Sequence, residues 1–172
     1  MTHHKHAIQA ESMDYKAAGC AFTNNHLVLA GYQPTKSPPC ISGFGGKKEA
    51  GDTSAQHTAW RETLEELLHI TDVRGELIHC LITKLVPKQI LHQDTYVAHM
   101  FDMTDLETML QIVREFNIES PAYAEFPTTV TELIFNRQAV ADMEISHLAI
   151  LPIVKGLQLD PFFVEDLDIL CK

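Results

Sequence analysis

The sequence is short of positive charge, of long apolar runs and of paired cysteines. It has 13 lysines and arginines against 23 aspartates and glutamates, which gives a formal charge of −10 at pH 7. Proteins that bind nucleic acid normally carry a basic patch, so this balance argues against long nucleic acid as a partner. The longest uncharged apolar stretches are far shorter than the ~20 residues that a membrane span requires, so we predict no membrane association.

The cysteines and histidines show no disulfide or zinc pattern. The four cysteines form no CxxC pair, and the N-terminus has no apolar signal core. We therefore interpret the thiols as reduced and predict a cytoplasmic protein. The histidines lack the spacing to cysteines that a zinc site requires, and three of them lie within residues 1–6.

The order of the predicted elements indicates one mixed α/β domain. With 172 residues, of which 45% are hydrophobic, the chain can bury a core and fits a single domain, 1–172. We expect residues 1–12 to be flexible and residues 104–143 to be a helical insertion. Apolar patterning predicts strands at 15–22, 26–34, 40–44, 77–86, 95–101 and 147–153. Helical spacing or capping predicts helices at 54–68, 106–116, 128–138 and 162–170, and strands 77–86 and 95–101 are expected to pair.

The segment that ends in Arg61-Glu62-Thr63-Leu64-Glu65-Glu66 is the most informative one. On a helix of about 100° per residue, its three glutamates fall within roughly a third of the circumference. Apolar side chains lie on the opposite side and can pack on a sheet: Trp60, Leu64, Leu67 and Leu68. Three like charges at this spacing repel one another, and a hard divalent cation offsets the repulsion. A solvated acidic helix face is the alternative interpretation.

A glycine-rich basic loop precedes this helix. It contains Gly45-Gly46 and then Lys47-Lys48. Glycines let the backbone approach a ligand closely, and the lysines can meet phosphate charge or be solvated loop side chains. Asp52 or Thr53 is a suitable N-cap for the helix. Such a loop before clustered carboxylates suits a metal-bridged pyrophosphate.

These residues together resemble the signature of the Nudix hydrolases. The signature reads Gly, five residues, Glu, seven residues, Arg-Glu-hydrophobic-any-Glu-Glu, any, Gly, hydrophobic. Gly46 and the run from Arg61 to Glu66 match it, apart from Thr63 at the hydrophobic position. Asp52 replaces the first Glu, Leu68 replaces the glycine, and eight residues rather than seven separate Asp52 from Arg61. We expect the extra residue to lie near 53–56, with the helix register kept from there on.

The resemblance implies an α/β/α sandwich with a mixed sheet. It also implies hydrolysis of a nucleoside diphosphate linked to another moiety, with Mg²⁺ or Mn²⁺ as the cofactor and a nucleotide-type small molecule as the partner. By the same resemblance, Arg61 orients the acids and the metal ligands are Glu62, Glu65 and Glu66. Substrate would contact Gly45, Gly46, Lys47 and Lys48.

The general base and the level of activity stay open at this point. Glu66 is our choice of base, with Glu62 mainly a ligand. Glu144 stands just before the last strand and is either a further ligand or base, or an ordinary acid at a strand edge. A catalytically weak Nudix-fold nucleotide-binding module is the second interpretation, and an unrelated acidic α/β protein is the third. The sequence leaves a homodimer open.

Overall fold

The structure is a computed structural model that describes residues 14–24, 26–154, 159 and 163–164. The N-terminal segment predicted to be flexible, 1–12, lies outside the described residues, as does nearly all of the predicted helix 162–170. The first described elements are β1 (Ala17–Thr23) and β2 (Leu27–Gln33), which form the predicted hairpin. Asn24 turns the chain, and its side-chain oxygen accepts from the Leu27 amide at 3.0 Å.

The two strands of this hairpin diverge after the turn, and the divergence creates the cleft described below. Among the described residues, β1 and β2 share one paired position, Thr23 with Val28. Beyond it, β1 pairs with β4 (Phe44–Lys47) and, in parallel, with β6 (Tyr96–Asp102). Strand β2 pairs instead with β3 (Cys40–Ser42) and β7 (His147–Pro152). The chain crosses the opening between β3 and β4, at Gly43.

Helix α1 (Ala55–Leu68) carries the acidic segment on one side and packs on the sheet with the other. Its apolar side chains are fully buried, and the Trp60 ring lies 4.9 Å from that of Phe101 on β6. Ser54 caps the start by accepting from the His57 amide at 3.1 Å. The N-cap is therefore Ser54 rather than Asp52 or Thr53, because Asp52 is turned inward toward Arg61.

The end of α1 is closed by a left-handed residue. His69 has φ 53° and ψ 39°, and the Ile70 amide donates back to the Leu64 carbonyl at 3.2 Å. A left-handed residue just after the last helical turn, followed by an amide that bonds back into the helix, is a common way to end a helix. The left-handed residue, His69, directly follows Leu68. Leu68 is the residue that stands at the glycine position of the Nudix signature.

The predicted strand 77–86 is wrong, because this segment is helix α2 (Gly75–Lys84). Its buried residues recur at Leu77, Ile78 and Leu81, which is one face of a helix, and this face joins the same core as α1. Glu76 in the first turn and Lys84 in the last complement the helix dipole. The partner of β6 is instead β5 (Gln89–Gln93), an edge strand joined to it by a turn at Asp94.

The segment 104–143 contains α3 (Asp105–Glu115) and the short α4 (Val130–Phe135). Helix α4 covers only part of the predicted 128–138, since Thr129 caps it and the chain leaves the helix at Asn136. All four helices contribute to the main core on one face of the sheet. The opposite face carries two smaller clusters, one of which includes Leu159 and Phe163.

The mixed α/β class is confirmed: seven strands form one sheet with helices packed on it. A second helical layer, as in an α/β/α sandwich, would require the segment 162–170, which is almost wholly outside the described residues. None of the helices in the described part of the chain has the length and apolarity to cross a bilayer.

Candidate active site

A cavity of about 430 Å³ lies where β1 and β2 diverge. Backbone forms much of its floor, since Gly43, Gly45 and Gly46 line it. A side chain at Gly45 would meet the Gly19 Cα at 2.7 Å and the Ala18 carbonyl oxygen at 2.8 Å, so this close strand approach requires glycine. The other lining residues are Ala17, Gln33, Lys36, Ser42, Lys47, Thr95, Tyr96, Glu144 and Phe163.

Arg61 is the hub of the acidic cluster beside this cavity. Its guanidinium, only 9% exposed, donates to both Asp52 oxygens, from Nε at 3.1 Å and from Nη2 at 3.0 Å. Nη2 also donates to the Lys47 carbonyl at 2.8 Å, which anchors α1 to the glycine-rich strand β4. Nη1 faces three further carboxylates, at 2.9 Å from Glu62, 3.3 Å from Glu65 and 3.7 Å from Glu49.

Asp52 is held in its charged form by this arrangement. Burial alone would raise its pKa, but hydrogen bonds from Arg61, the Glu49 amide and the Thr58 hydroxyl outweigh it and bring the pKa to about 2. All the described contacts of Asp52 therefore hold the loop and Arg61 in place. Asp52 is not among the residues that line the cavity, so these contacts give it a positioning role.

Glu66 occupies a different environment, against the backbone of Gly45, which lines the cavity. The residue is 7% exposed, and its Oε2 accepts from the Gly45 amide at 2.7 Å. No ion pair to Glu66 is present within the described residues. Burial raises its pKa well above the usual range, the Gly45 bond opposes this, and the nearby charges of Glu144 and Glu62 raise it further.

Glu62 and Glu65 lie between these two environments. Burial raises the pKa of each carboxyl, and the attraction of Arg61 opposes the rise. A Cβ atom at Gly46 would lie 2.3 Å from Glu62 Oε2, so the glycine provides the space that the Glu62 carboxylate fills. Both Glu62 and Glu66 thus face Gly45-Gly46, and α1 is continuous from Ala55 to Leu68 without a bulge.

The donor chemistry fits a hard divalent cation in part. The Arg61 guanidinium faces four carboxylates, and Glu66 has only an amide partner, so the cluster carries excess negative charge. All the candidate metal donors are carboxylate oxygens, which hard cations prefer. In the described part of the chain, however, no three acidic, histidine or cysteine side chains converge closely enough to hold an ion. Glu62 and Glu65 instead lie within ion-pair distance of Arg61.

Glu144 faces the same cavity from the loop before β7. Its Oε1 accepts from Gln33 Nε2 at 3.1 Å and lies 3.4 Å from Lys36 Nζ. The side chain is about half exposed, at 49%, and is close enough to Glu66 to influence its pKa. It therefore lines the cavity and lies near Glu66, which in turn contacts the amide of the cavity-lining Gly45.

The two loop lysines have different surroundings. Lys47 lines the cavity, and its carbonyl is the one that Arg61 binds. Lys48 points elsewhere, with its ammonium 4.6 Å from the centre of the Tyr15 ring. Only Lys47 is thus placed to meet a ligand in the cavity.

Several cavity residues were missed by the sequence interpretation. Gln33 and Ser42 are buried polar side chains that line the cavity, and Ser42 Oγ has no hydrogen-bond partner within the described residues. Lys36 stands in the β2–β3 loop. Their types and spacing give no signal, because they come together only where β2 diverges from β1. The aromatic residue Tyr96 also lines the cavity, while Phe44 is buried in the main core.

Comparisons with known proteins give a limited picture. No protein-family model matches the chain, and no curated protein matches it in sequence. Solved structures of Nudix hydrolases are among its structural neighbours. A MutT Nudix hydrolase from Burkholderia pseudomallei has 15% identity and a TM-score of 0.40, with 88% of this chain and 94% of that one covered.

A second neighbour is a bifunctional NMN adenylyltransferase/ADP ribose pyrophosphatase from Francisella tularensis, solved with AMP and a Mn ion. It has 12% identity and a TM-score of 0.43, and the match covers 94% of this chain but 42% of that one. Another structure of a bifunctional enzyme of the same description and organism has 13% identity and a TM-score of 0.42, with 93% and 41% covered. At these values the likenesses carry no argument about the site or reaction of this chain.

Proposed function

We propose that the protein is a Mg²⁺- or Mn²⁺-dependent pyrophosphohydrolase that cleaves a nucleoside diphosphate linked to another moiety. The observation that carries the proposal is Glu66. It is a buried carboxylate without a counter-ion among the described residues, and it stands beside a glycine-rich strand that lines a cavity. A buried charge of this kind needs a cation or a proton, and a divalent cation with a diphosphate meets that need.

The residues of the chain would divide the work as follows. Glu62, Glu65 and Glu66 would hold the metal, which supplies positive charge to the diphosphate and makes the attacking water more acidic. Arg61 orients two of these acids through the contacts described above. Metal binding would require Glu65, and to a lesser degree Glu62, to turn from Arg61 toward Glu66.

The substrate would lie in the cavity between α1 and Glu144. The Gly45-Gly46 backbone would approach the diphosphate, and Lys47 would add a positive charge at the same edge, whereas Lys48 is engaged with Tyr15. Glu66 is the preferred general base because burial raises its pKa above the usual range of a carboxyl group, and Glu144 is the second candidate.

A substrate-panel assay with Mg²⁺ and Mn²⁺ tests this function. The panel contains nucleoside triphosphates, ADP-ribose, NADH and dinucleoside polyphosphates, and release of a nucleoside monophosphate or phosphate is measured. We expect metal-dependent turnover of at least one compound, and a loss of about a hundredfold or more in Glu66→Gln. Glu76→Gln, an exposed glutamate in the first turn of α2, is the matched control and should keep wild-type rates.

A nucleotide-binding module with little or no turnover is the second candidate function. The observation that favours it is the pairing of Glu62 and Glu65 with Arg61, which leaves Glu66 as the one α1 acid without a cation partner among the described residues. Calorimetric titration separates the two functions. Metal-dependent nucleotide binding without product release would favour the module, and unchanged Mn²⁺ affinity in a Glu65→Gln, Glu66→Gln double variant would contradict both.

A further inference from the structure

Arg137 connects three parts of the molecule that the candidate site depends on. It lies between α4 and β7, within the segment 104–143, and is partly buried. Its Nη2 donates to the Glu66 carbonyl at 2.9 Å and to the Ile145 carbonyl at 2.8 Å. Its Nη1 donates to the Leu67 carbonyl and, at 3.3 Å, to the Tyr123 hydroxyl.

Two of these bonds cap the C-terminus of α1. The last carbonyls of a helix have no partner within the helix and carry the negative end of its dipole. Helix α1 has no basic residue in its own last turn. Arg137 supplies that charge to the Glu66 and Leu67 carbonyls, and the Ser120 hydroxyl donates to the next carbonyl, that of Leu68.

The third bond reaches the segment just before β7. Ile145 directly follows Glu144, and Nη2 contacts the carbonyls of Glu66 and Ile145 with the same nitrogen. The planar guanidinium of Arg137 therefore joins the backbone of Glu66 to the loop that carries Glu144. A planar guanidinium can hold these directions together, which the single rotating ammonium of lysine cannot do.

We propose that Arg137 is a positioning residue that sets the separation between Glu66 and Glu144. The expected effect of Arg137 on metal binding and turnover rests on the proposed function. The restraint that Arg137 places on the positions of Glu66 and Glu144 does not depend on that function.

Hydrogen exchange tests the mechanical part without substrate or metal. The Ile70 amide bonds to Leu64 at the end of α1, and the Ser146 amide bonds to the Tyr32 carbonyl beside Glu144. In Arg137→Lys we expect both amides to exchange faster by about tenfold. The free energy of local opening should be lower because the guanidinium no longer holds the two segments together. Arg114→Lys, an exposed arginine of α3, is the matched control and should leave both unchanged. Faster exchange at Ile70 alone would show a plain helix cap and overturn the proposal.

Mn²⁺ titration and steady-state kinetics test the consequence. Arg137→Lys should lower Mn²⁺ affinity or kcat by about tenfold or more, as changes behind metal ligands commonly do. If the loss acts through Glu144, it should shrink in a Glu144→Gln background. A wild-type kcat and Mn²⁺ affinity in Arg137→Lys would overturn this role while the proposed function stands.

The outcomes also separate failure of the inference from failure of the function. If the wild-type protein neither binds Mn²⁺ nor hydrolyses any compound, the proposed function is wrong and the exchange experiment alone decides on the common restraint. If Arg137→Lys does not fold, Tyr123→Phe replaces it, since it removes one hydrogen-bond partner of the guanidinium. It should raise exchange at both amides by a smaller factor, about threefold, and unchanged exchange at both would overturn the proposal.

Discussion

Asp52 and Glu66 are two carboxylates with nearly the same exposure and opposite electrostatics. Asp52 is 8% exposed and Glu66 is 7% exposed. Arg61 binds both oxygens of Asp52, whose pKa falls to about 2, whereas Glu66 has one amide donor and a pKa well above the usual range. The two ends of one acidic segment therefore differ in partners rather than in burial.

The difference separates a structural end of the segment from a reactive one. At the Arg61 end the loop, the helix and the strand are tied together by a satisfied ion pair. At the Glu66 end a carboxyl group is buried near a cavity with little compensation for its charged form, as at sites that bind cations or transfer protons. The contrast also explains why removal of the two acids should affect stability in opposite directions.

The largest effect is expected from Arg61→Met. This change leaves Asp52 buried, charged and unpaired, and loss of one partner of a buried pair costs about 3–5 kcal/mol. Side-chain exposures of 9% for Arg61 and 2% for Asp52 place the pair in this class. Urea unfolding at pH 7 measures the free energy of unfolding.

Lys84→Met is the matched control for this experiment. Lys84 and Glu115 form an exposed pair at 3.8 Å, with side chains 53% and 52% exposed. Such pairs contribute about 0–1 kcal/mol. Equal losses in the two variants would show that Arg61 is an ordinary surface charge.

The second prediction concerns Glu66→Gln in metal-free buffer. The folded pKa of Glu66 is raised, so the folded state keeps its proton while the unfolded state releases it above about pH 4.3. Wild-type stability should then fall, relative to Glu66→Gln, by up to about 1.4 kcal/mol per pH unit until the folded pKa is passed. Denaturant unfolding between pH 4 and 8 measures the difference, and a constant difference would contradict the raised pKa.

Asp52→Asn should show the opposite dependence. The folded pKa of Asp52 is lowered, so the wild-type advantage is complete above the unfolded pKa of about 3.9 and disappears as the pH falls through about 2. Between pH 5 and 8 the difference from wild type should be flat. A slope there would mean that another group titrates with Asp52.

A smaller effect is expected from Gly46→Ala, which tests the space around Glu62. The new methyl group would lie 2.3 Å from Glu62 Oε2, so the flexible carboxylate must move. Stability should change by less than about 1 kcal/mol, while Mn²⁺ affinity falls by about tenfold. Gly51→Ala is the control, since nothing lies within 4 Å of its added atom. Equal Mn²⁺ affinities would remove Glu62 from the site.

The smallest effect is expected from the loop lysines. Lys47→Met should raise KM by up to about fivefold, the equivalent of an exposed charge contact of about 1 kcal/mol. Lys48→Met should leave KM unchanged, because Lys48 lies on the Tyr15 ring and does not line the cavity. The reverse order would exchange the roles of the two lysines.

The sequence predicted most elements whose apolar pattern has one clear period. The hairpin, α1, α3 and β7 appear close to their predicted positions. The segment 77–86 failed because its dense apolar residues fit a buried strand as well as a helix, and packing against α1 decided for the helix. Helix α4 was overestimated because the pattern did not show that the chain leaves the helix at Asn136.

For the candidate site, the sequence singled out residues on one continuous segment and Glu144, but it gave no sign of other residues that lie near them in the fold. Glu62, Glu65, Glu66 and the glycine-rich loop share a local pattern. Gln33, Ser42 and Arg137 have none, because only the divergence of β1 and β2 and the path of 104–143 bring them to the site. The metal, the substrate class, the cytoplasmic location and a homodimer stay predictions.

The sequence by itself determined the mixed α/β class and the acidic helix face opposite an apolar one, because local periodicity fixes both. Only the tertiary structure decided which acid is compensated. Arg61 could have paired with any of the neighbouring carboxylates. The fold of the loop places Asp52 against Arg61, and strand β4 directs the Gly45 amide to Glu66. Charge compensation depends on distances across the fold, and a sequence pattern does not contain those distances.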